Sequence, residues 1–166
     1  MEFCNLKGKT ILVTGASSGI GRQSAIKVSQ QGAKLIVTGR DEKRTAETLK
    51  MLTGTNHLSF TADLLTEQEM DSLVAKLPAL DGVVHCAGIV GPTPVKFIRK
   101  ENIEKLLKIN FEVPVLLTSK VLLMKKVADN ASIVFLSTVA TQMPYFGGAL
   151  YNSSKSAIES YSKTVA

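Results

Sequence analysis

The segment Thr10-Ile11-Leu12-Val13-Thr14-Gly15-Ala16-Ser17-Ser18-Gly19-Ile20-Gly21 decides how this chain is read. Its first half is a short apolar, β-branched run. Its second half is a glycine turn, and a helical pattern begins at Ile20. A strand that turns tightly on glycines into a helix gathers backbone N–H groups and a positive dipole end at one spot, which suits a pyrophosphate. Far along the chain, Tyr151 and Lys155 stand four residues apart in a second helical pattern. That spacing puts a phenol and an ammonium on one helix face, where both can act on one atom.

Strand and helix patterns alternate outward from that segment. Strands are expected at Thr10–Thr14, Lys34–Thr38, Leu58–Thr61, Gly82–Cys86 and Ser132–Leu136. Helices are expected at Ile20–Gln31, Asp41–Leu52, Glu67–Leu77, Lys100–Lys126 and Tyr151–Ala166. Gly32 follows the first helix, where a C-terminal glycine belongs. Thr66, with Glu69 three residues on, predicts a capping box for the third helix. The β-α-β-α rhythm means a parallel sheet with helices on both faces. Right-handed crossovers give the order 3-2-1-4-5, with a ligand crevice where strands one and four part.

Asn110 interrupts an apolar stripe formed by Ile103, Leu106 and Leu107. A buried amide needs partners, so a satisfied side chain at a helix kink is expected. Arg40 follows Gly39 at the end of the second strand, and its guanidinium fork suits a phosphate. Cys86 ends an apolar strand pattern and reads as a buried thiol. His57 and His85 have no ligand-rich neighbours, so no metal site is expected.

The 166 residues fit one domain, 1–166, with a net charge of +6 spread over helix faces. No nucleic-acid motif accompanies that charge. Arg99-Lys100 and Lys125-Lys126 are small clusters within it, suited at most to an acidic carrier. Apolar runs such as Val113 to Leu117 are too short to span a bilayer. The start, Met1-Glu2-Phe3-Cys4, lacks the layout of a secretion signal. With two cysteines and no disulfide framework, a reducing cytoplasm is the expected compartment.

The spacing Gly15, Gly19, Gly21 differs from the common Gly-x-Gly-x-x-Gly fingerprint. It resembles that of the short-chain dehydrogenase/reductase family. Five further features follow in that family's order: Asp63, His85-Cys86-Ala87-Gly88, Asn110, Ser137-Thr138 and Tyr151-x-x-x-Lys155. The resemblance implies a Rossmann-type, doubly wound α/β domain that reduces a carbonyl with a nicotinamide dinucleotide. The 3-oxoacyl-acyl-carrier-protein reductases are the most similar pattern, so the substrate would be a small-molecule or carrier-bound carbonyl.

In that resemblance Gly15, Ser17, Ser18, Gly19, Ile20 and Gly21 cradle the cofactor. Asp63, with Leu64 beside it, meets the adenine, and Ala87 and Gly88 let the backbone approach. Family members that prefer NAD carry an acid where Gly39 stands, so Arg40 favours NADP over NAD. Ser18 departs from the basic residue that NADP-preferring relatives often carry, and His85-Cys86 departs from Asn-Asn. Tyr151 is the general acid, with Lys155 lowering its pKa and bonding the ribose. Asn110 holds a water relaying protons toward the lysine. Counting thirteen residues back from Tyr151 gives Thr138 as the substrate hydroxyl, with Ser137 second.

Family members are longer, so the later strands are expected to be missing here. The fifth strand then becomes an edge, and the chain as written is expected to bind cofactor weakly and turn over little. A cofactor-binding or assembly module without turnover is the alternative function. A homodimer or homotetramer is expected through the fourth and fifth helices, on Val115, Leu116, Val121, Leu122, Leu123, Ile158 and Tyr161.

Overall fold

The structure is a computed structural model that describes residues 5–165. The Met1–Cys4 reading and the predicted helix end at Ala166 lie outside the described residues. Five strands form one sheet in the order β3-β2-β1-β4-β5. They are β1 (Thr10–Val13), β2 (Lys34–Gly39), β3 (Leu58–Thr61), β4 (Leu80–His85) and β5 (Val127–Phe135). Every pairing is parallel. The helices are α1 (Gly19–Gln30), α2 (Glu42–Lys50), α3 (Glu67–Lys76), α4 (Lys100–Leu107), α5 (Val113–Leu123) and α6 (Ala149–Thr164). The order predicted from the alternation is the order observed.

Strand alternation divides the core in two. Leu12, Ile36 and Val83 face one side, packed with Met70, Leu73 and Val74 of α3 and Leu117 and Val121 of α5. Ile11, Val13, Leu35 and Val37 face the other, packed with Ala25 of α1 and with Leu49 beyond it. The central strands β1, β2 and β4 are therefore covered on both faces, which is why they read as continuous apolar runs, while the edge strands β3 and β5 stay partly exposed.

Four expectations are corrected in detail. The predicted helix Lys100–Lys126 is two helices, α4 and α5, joined by a π turn at Lys108–Glu112. The capping box at Thr66 does not form, because the Thr66 side chain makes no cap bond. Glu69 reaches further back and accepts from the Asp63 N–H at 2.7 Å. β5 begins five residues before the predicted Ser132 and carries an irregularity opposite Leu80 and Gly82. Val121 and Ile158, expected on an outer surface, are core residues.

His85 is structural, as its surroundings show. Its Nε2 lies 3.0 Å from the Thr118 hydroxyl, and its ring stacks on Phe135 at 4.9 Å. Burial lowers its pKa from 6.5 to about 3. An unfolded chain takes up this proton near pH 6.5, while the folded chain stays neutral until far lower. Its contribution to stability is therefore complete above pH 6.5 and declines as pH falls toward 3. The slope for one proton is about 1.4 kcal/mol per pH unit. Urea melts between pH 6.5 and 5 should show that slope in the parent and a flatter one in His85→Asn. Identical slopes would remove His85 as the cause.

Candidate active site

The glycine turn leaves no room for side chains. Gly15 has φ +62°, and a Cβ there would meet the Ala87 backbone nitrogen at 2.7 Å. A Cβ on Gly21 would collide with the Gly15 carbonyl. Thr14 locks the two strand ends together, its hydroxyl accepting from the Cys86 and Ala87 N–H groups at 3.1 and 3.2 Å. The turn and the end of β4 thus form one side of a cavity of about 800 Å³. Of the residues predicted to hold the cofactor, Gly15, Ser17, Ser18, Gly19, Ile20, Gly21, Arg40, Asp63, Leu64, Ala87 and Gly88 line it, whereas Asn110, Tyr151 and Lys155 do not.

The far end of the cavity is built by β2 and α2. Gly39 is packed so closely that a Cβ would meet Thr45 Oγ1 at 2.9 Å and Ser17 Cβ at 3.1 Å. No acidic side chain fits there without displacing both. The nearest acid that lines the cavity, Asp41, spends its carboxylate capping α2 through the Arg44 N–H at 2.9 Å. Arg40 is exposed and makes no hydrogen bond or ion pair among the described residues. Asp63 uses one oxygen on its own turn, accepting from the Leu65 N–H at 3.1 Å.

The second group of predicted residues meets around α6. Lys155 is buried, and its Nζ donates to the Leu136 carbonyl at 2.9 Å. The same Nζ lies 5.8 Å from the centroid of the Tyr151 ring. Burial holds the Lys155 ammonium below the usual lysine range. Asn110, in the π turn, is 2% exposed. Its amide grips Ile89, donating to the carbonyl and accepting from the N–H, each at 2.9 Å. Its other N–H donates to Ser154 Oγ at 3.1 Å. Ser154 in turn donates to the Tyr151 carbonyl at 2.7 Å. A Cβ on Gly88 would lie 3.2 Å from Asn110 Oδ1 and 3.8 Å from Lys155 Nζ, so the glycine joins the two groups of residues.

The two candidate hydroxyls lie just beyond the end of β5 and take different partners. Ser137 donates to Glu159, which also accepts from Thr141 Oγ1 at 3.0 Å. Those two bonds hold the Glu159 carboxyl below its ordinary range, with the Ser137 bond the larger cause. Thr138 accepts from the Ala140 N–H at 3.2 Å, so its own proton remains free to give.

Three residues of the site had weaker sequence signals. Arg44 lines the cavity from the first turn of α2, and Arg40 precedes that helix, so no helical spacing links the two in the sequence. Ile89 is held through its backbone, which no side-chain pattern could reveal. Ser154 sits inside the Tyr-x-x-x-Lys span as an unmarked position.

A sequence model described as short chain dehydrogenase matches residues 9–166. The chain is 30% identical to the uncharacterized oxidoreductase YciK of Escherichia coli (strain K12), over 97% of this chain and 68% of that one. It is 29% identical to the 3-oxoacyl-[acyl-carrier-protein] reductase FabG of Rickettsia typhi, over 95% of this chain and 65% of that one. A solved Escherichia coli CFT073 protein complexed with NADPH matches at a TM-score of 0.82 and 32% identity. That match covers 94% of this chain and 69% of the other. The chain thus spans about two thirds of the length of these proteins. With one family match running from β1 through α6, the chain belongs to the short chain dehydrogenase family.

Proposed function

We propose that the chain carries the cofactor and proton-transfer groups of an NADP-dependent carbonyl reductase. The observation that carries this reading is the buried Lys155 ammonium beside the Tyr151 ring, with the Thr138 hydroxyl, whose oxygen caps the turn after β5 and whose proton is given to no acceptor among the described residues. The dinucleotide fits the cavity on three counts: a turn closed to side chains, a β2 end closed to an acid, and an unpaired Arg40. Gly15 to Gly21 would hold the pyrophosphate, Asp63 the adenine, and Arg40 the 2′-phosphate.

Bound there, the nicotinamide supplies the hydride. Tyr151 gives a proton to the carbonyl oxygen as negative charge grows on it. The Lys155 cation favours the phenolate that remains. Thr138 donates to the same oxygen and orients it. Asn110 fixes Ile89 and Ser154, and through Ser154 the backbone of Tyr151, and we assign it the water relay toward Lys155.

The substrate class we favour is a 3-oxoacyl thioester, supported by the likeness to the Rickettsia typhi reductase. Consumption of NADPH with such a thioester is the direct assay, and no consumption by the full protein would refute this class. For the cofactor, NADPH should bind about tenfold or more tightly than NADH, the scale of one charge-assisted contact. Arg40→Ala should shrink that gap. Equal affinities in the parent chain, read by fluorescence titration, would sink the NADP assignment.

We also infer a homo-oligomer. Ile103 and Leu107 of α4, Leu116 and Leu123 of α5, and Met124 just beyond it are exposed apolar side chains, Leu123 at 81%. Such a surface marks an interface in symmetric assemblies. Light scattering at micromolar concentration should give a dimer or tetramer, and a folded monomer would rule this out. Among the described residues no helix is long and apolar enough to cross a membrane. The free Cys86 thiol is the observation behind our proposal of a reducing, cytoplasmic compartment.

A further inference from the structure

The β2–α2 end of the cavity holds more charge than Arg40 alone. Arg44 lines the same cavity from the first turn of α2. Its backbone is pinned on both sides. Its N–H donates to the Asp41 carboxylate at 2.9 Å, and its carbonyl accepts from Arg22 at 3.2 Å. Its guanidinium is held only by a 3.9 Å ion pair to Asp41, with the side chain 54% exposed. The fixed backbone leaves only the side chain to be ordered around an anion.

Arg22 ties this region to the glycine turn. It donates to the Ser17 carbonyl at 2.6 Å and to Thr48 Oγ1 at 2.9 Å. The cradle for a pyrophosphate and the start of α2 are therefore one braced unit. At the β2–α2 end Arg40 and Arg44 bring two positive charges and Asp41 one negative charge, while the cavity's other acid, Asp63, stands at the end of β3. A ribose hydroxyl has no use for that surplus, whereas a phosphate dianion does.

We propose that Arg44 is a second specificity-determining cation, which with Arg40 grips the 2′-phosphate of NADP while Asp41 tempers the pair. The proposal rests on the reading that this cavity takes NADP, and binding measurements separate the two. The parent chain and variants are titrated with NADPH, NADH, 2′-phospho-AMP and AMP. Arg44→Ala should weaken NADPH and 2′-phospho-AMP about tenfold, since each charge-assisted contact is of that order. NADH and AMP should stay within about twofold, because they make no use of the cation. Asp41→Asn keeps the α2 cap and removes the negative charge, so NADPH should bind more tightly. Equal NADPH and NADH affinities in the parent would overturn the NADP reading itself. A clear parent preference left intact by Arg44→Ala would overturn the role of Arg44 alone. Equal losses for NADPH and NADH would assign Arg44 a merely structural role and overturn it as well.

Discussion

Tyr151→Phe is expected to reduce NADPH-dependent carbonyl reduction by about 10²- to 10⁴-fold, the range set by loss of a general acid. The substitution removes one hydroxyl and leaves the ring, so α6 and its packing survive. Lys155 keeps its bond to the Leu136 carbonyl, which fixes the ammonium independently of the phenol. Cofactor affinity should therefore stay within a few-fold, and kcat should carry the loss. Steady-state rates with a 3-oxoacyl thioester and fluorescence titration with NADPH check the two halves. Undiminished turnover would remove Tyr151 from the proton path. A matching collapse of NADPH binding would point instead to damaged packing.

The second large effect is expected at Thr138. Thr138→Val keeps the shape of the side chain and deletes the donor proposed for the developing oxyanion. Removing one such donor costs about 10²- to 10³-fold in kcat. The change also removes the acceptor for the Ala140 N–H, a loss of about 1 kcal/mol in stability. Thr138→Ser separates the two, because it restores the hydroxyl and should restore most of the rate. Ser137→Ala should lower the rate by no more than a few-fold, since the Ser137 proton is given to Glu159. A severe loss at Ser137 with a mild one at Thr138 would reverse the assignment.

Much of the cofactor half was legible because its requirements are local. Gly15 needs a positive φ and a close backbone neighbour, and both demands leave a glycine in the sequence. The strand order followed from alternation and the handedness of crossovers, which depend on chain chirality and not on particular contacts. Asn110 was visible as a polar residue on an apolar stripe, and the structure supplied its three partners. The π turn around it was not visible, because the buried positions Leu106, Asn110, Val113 and Leu117 keep offsets of three and four through it.

Other features were decided by contacts between distant segments. The Thr66–Glu69 spacing satisfied a capping rule, yet Glu69 found a better-placed donor in the Asp63 N–H across the β3–α3 turn. Val121 and Ile158 looked like surface residues by count, but the sheet and the neighbouring helices cover them.

The sequence by itself determined the doubly wound sheet, the glycine cradle and the Tyr151–Lys155 pair, because backbone sterics and helical period act over a few residues. Only the tertiary structure decided which hydroxyl keeps its proton and which cations face the cavity. Ser137 meets Glu159 across 22 positions, and Arg22 meets the Arg44 carbonyl across the same separation. Such pairings depend on how helices settle against the sheet, and no period in the chain encodes them.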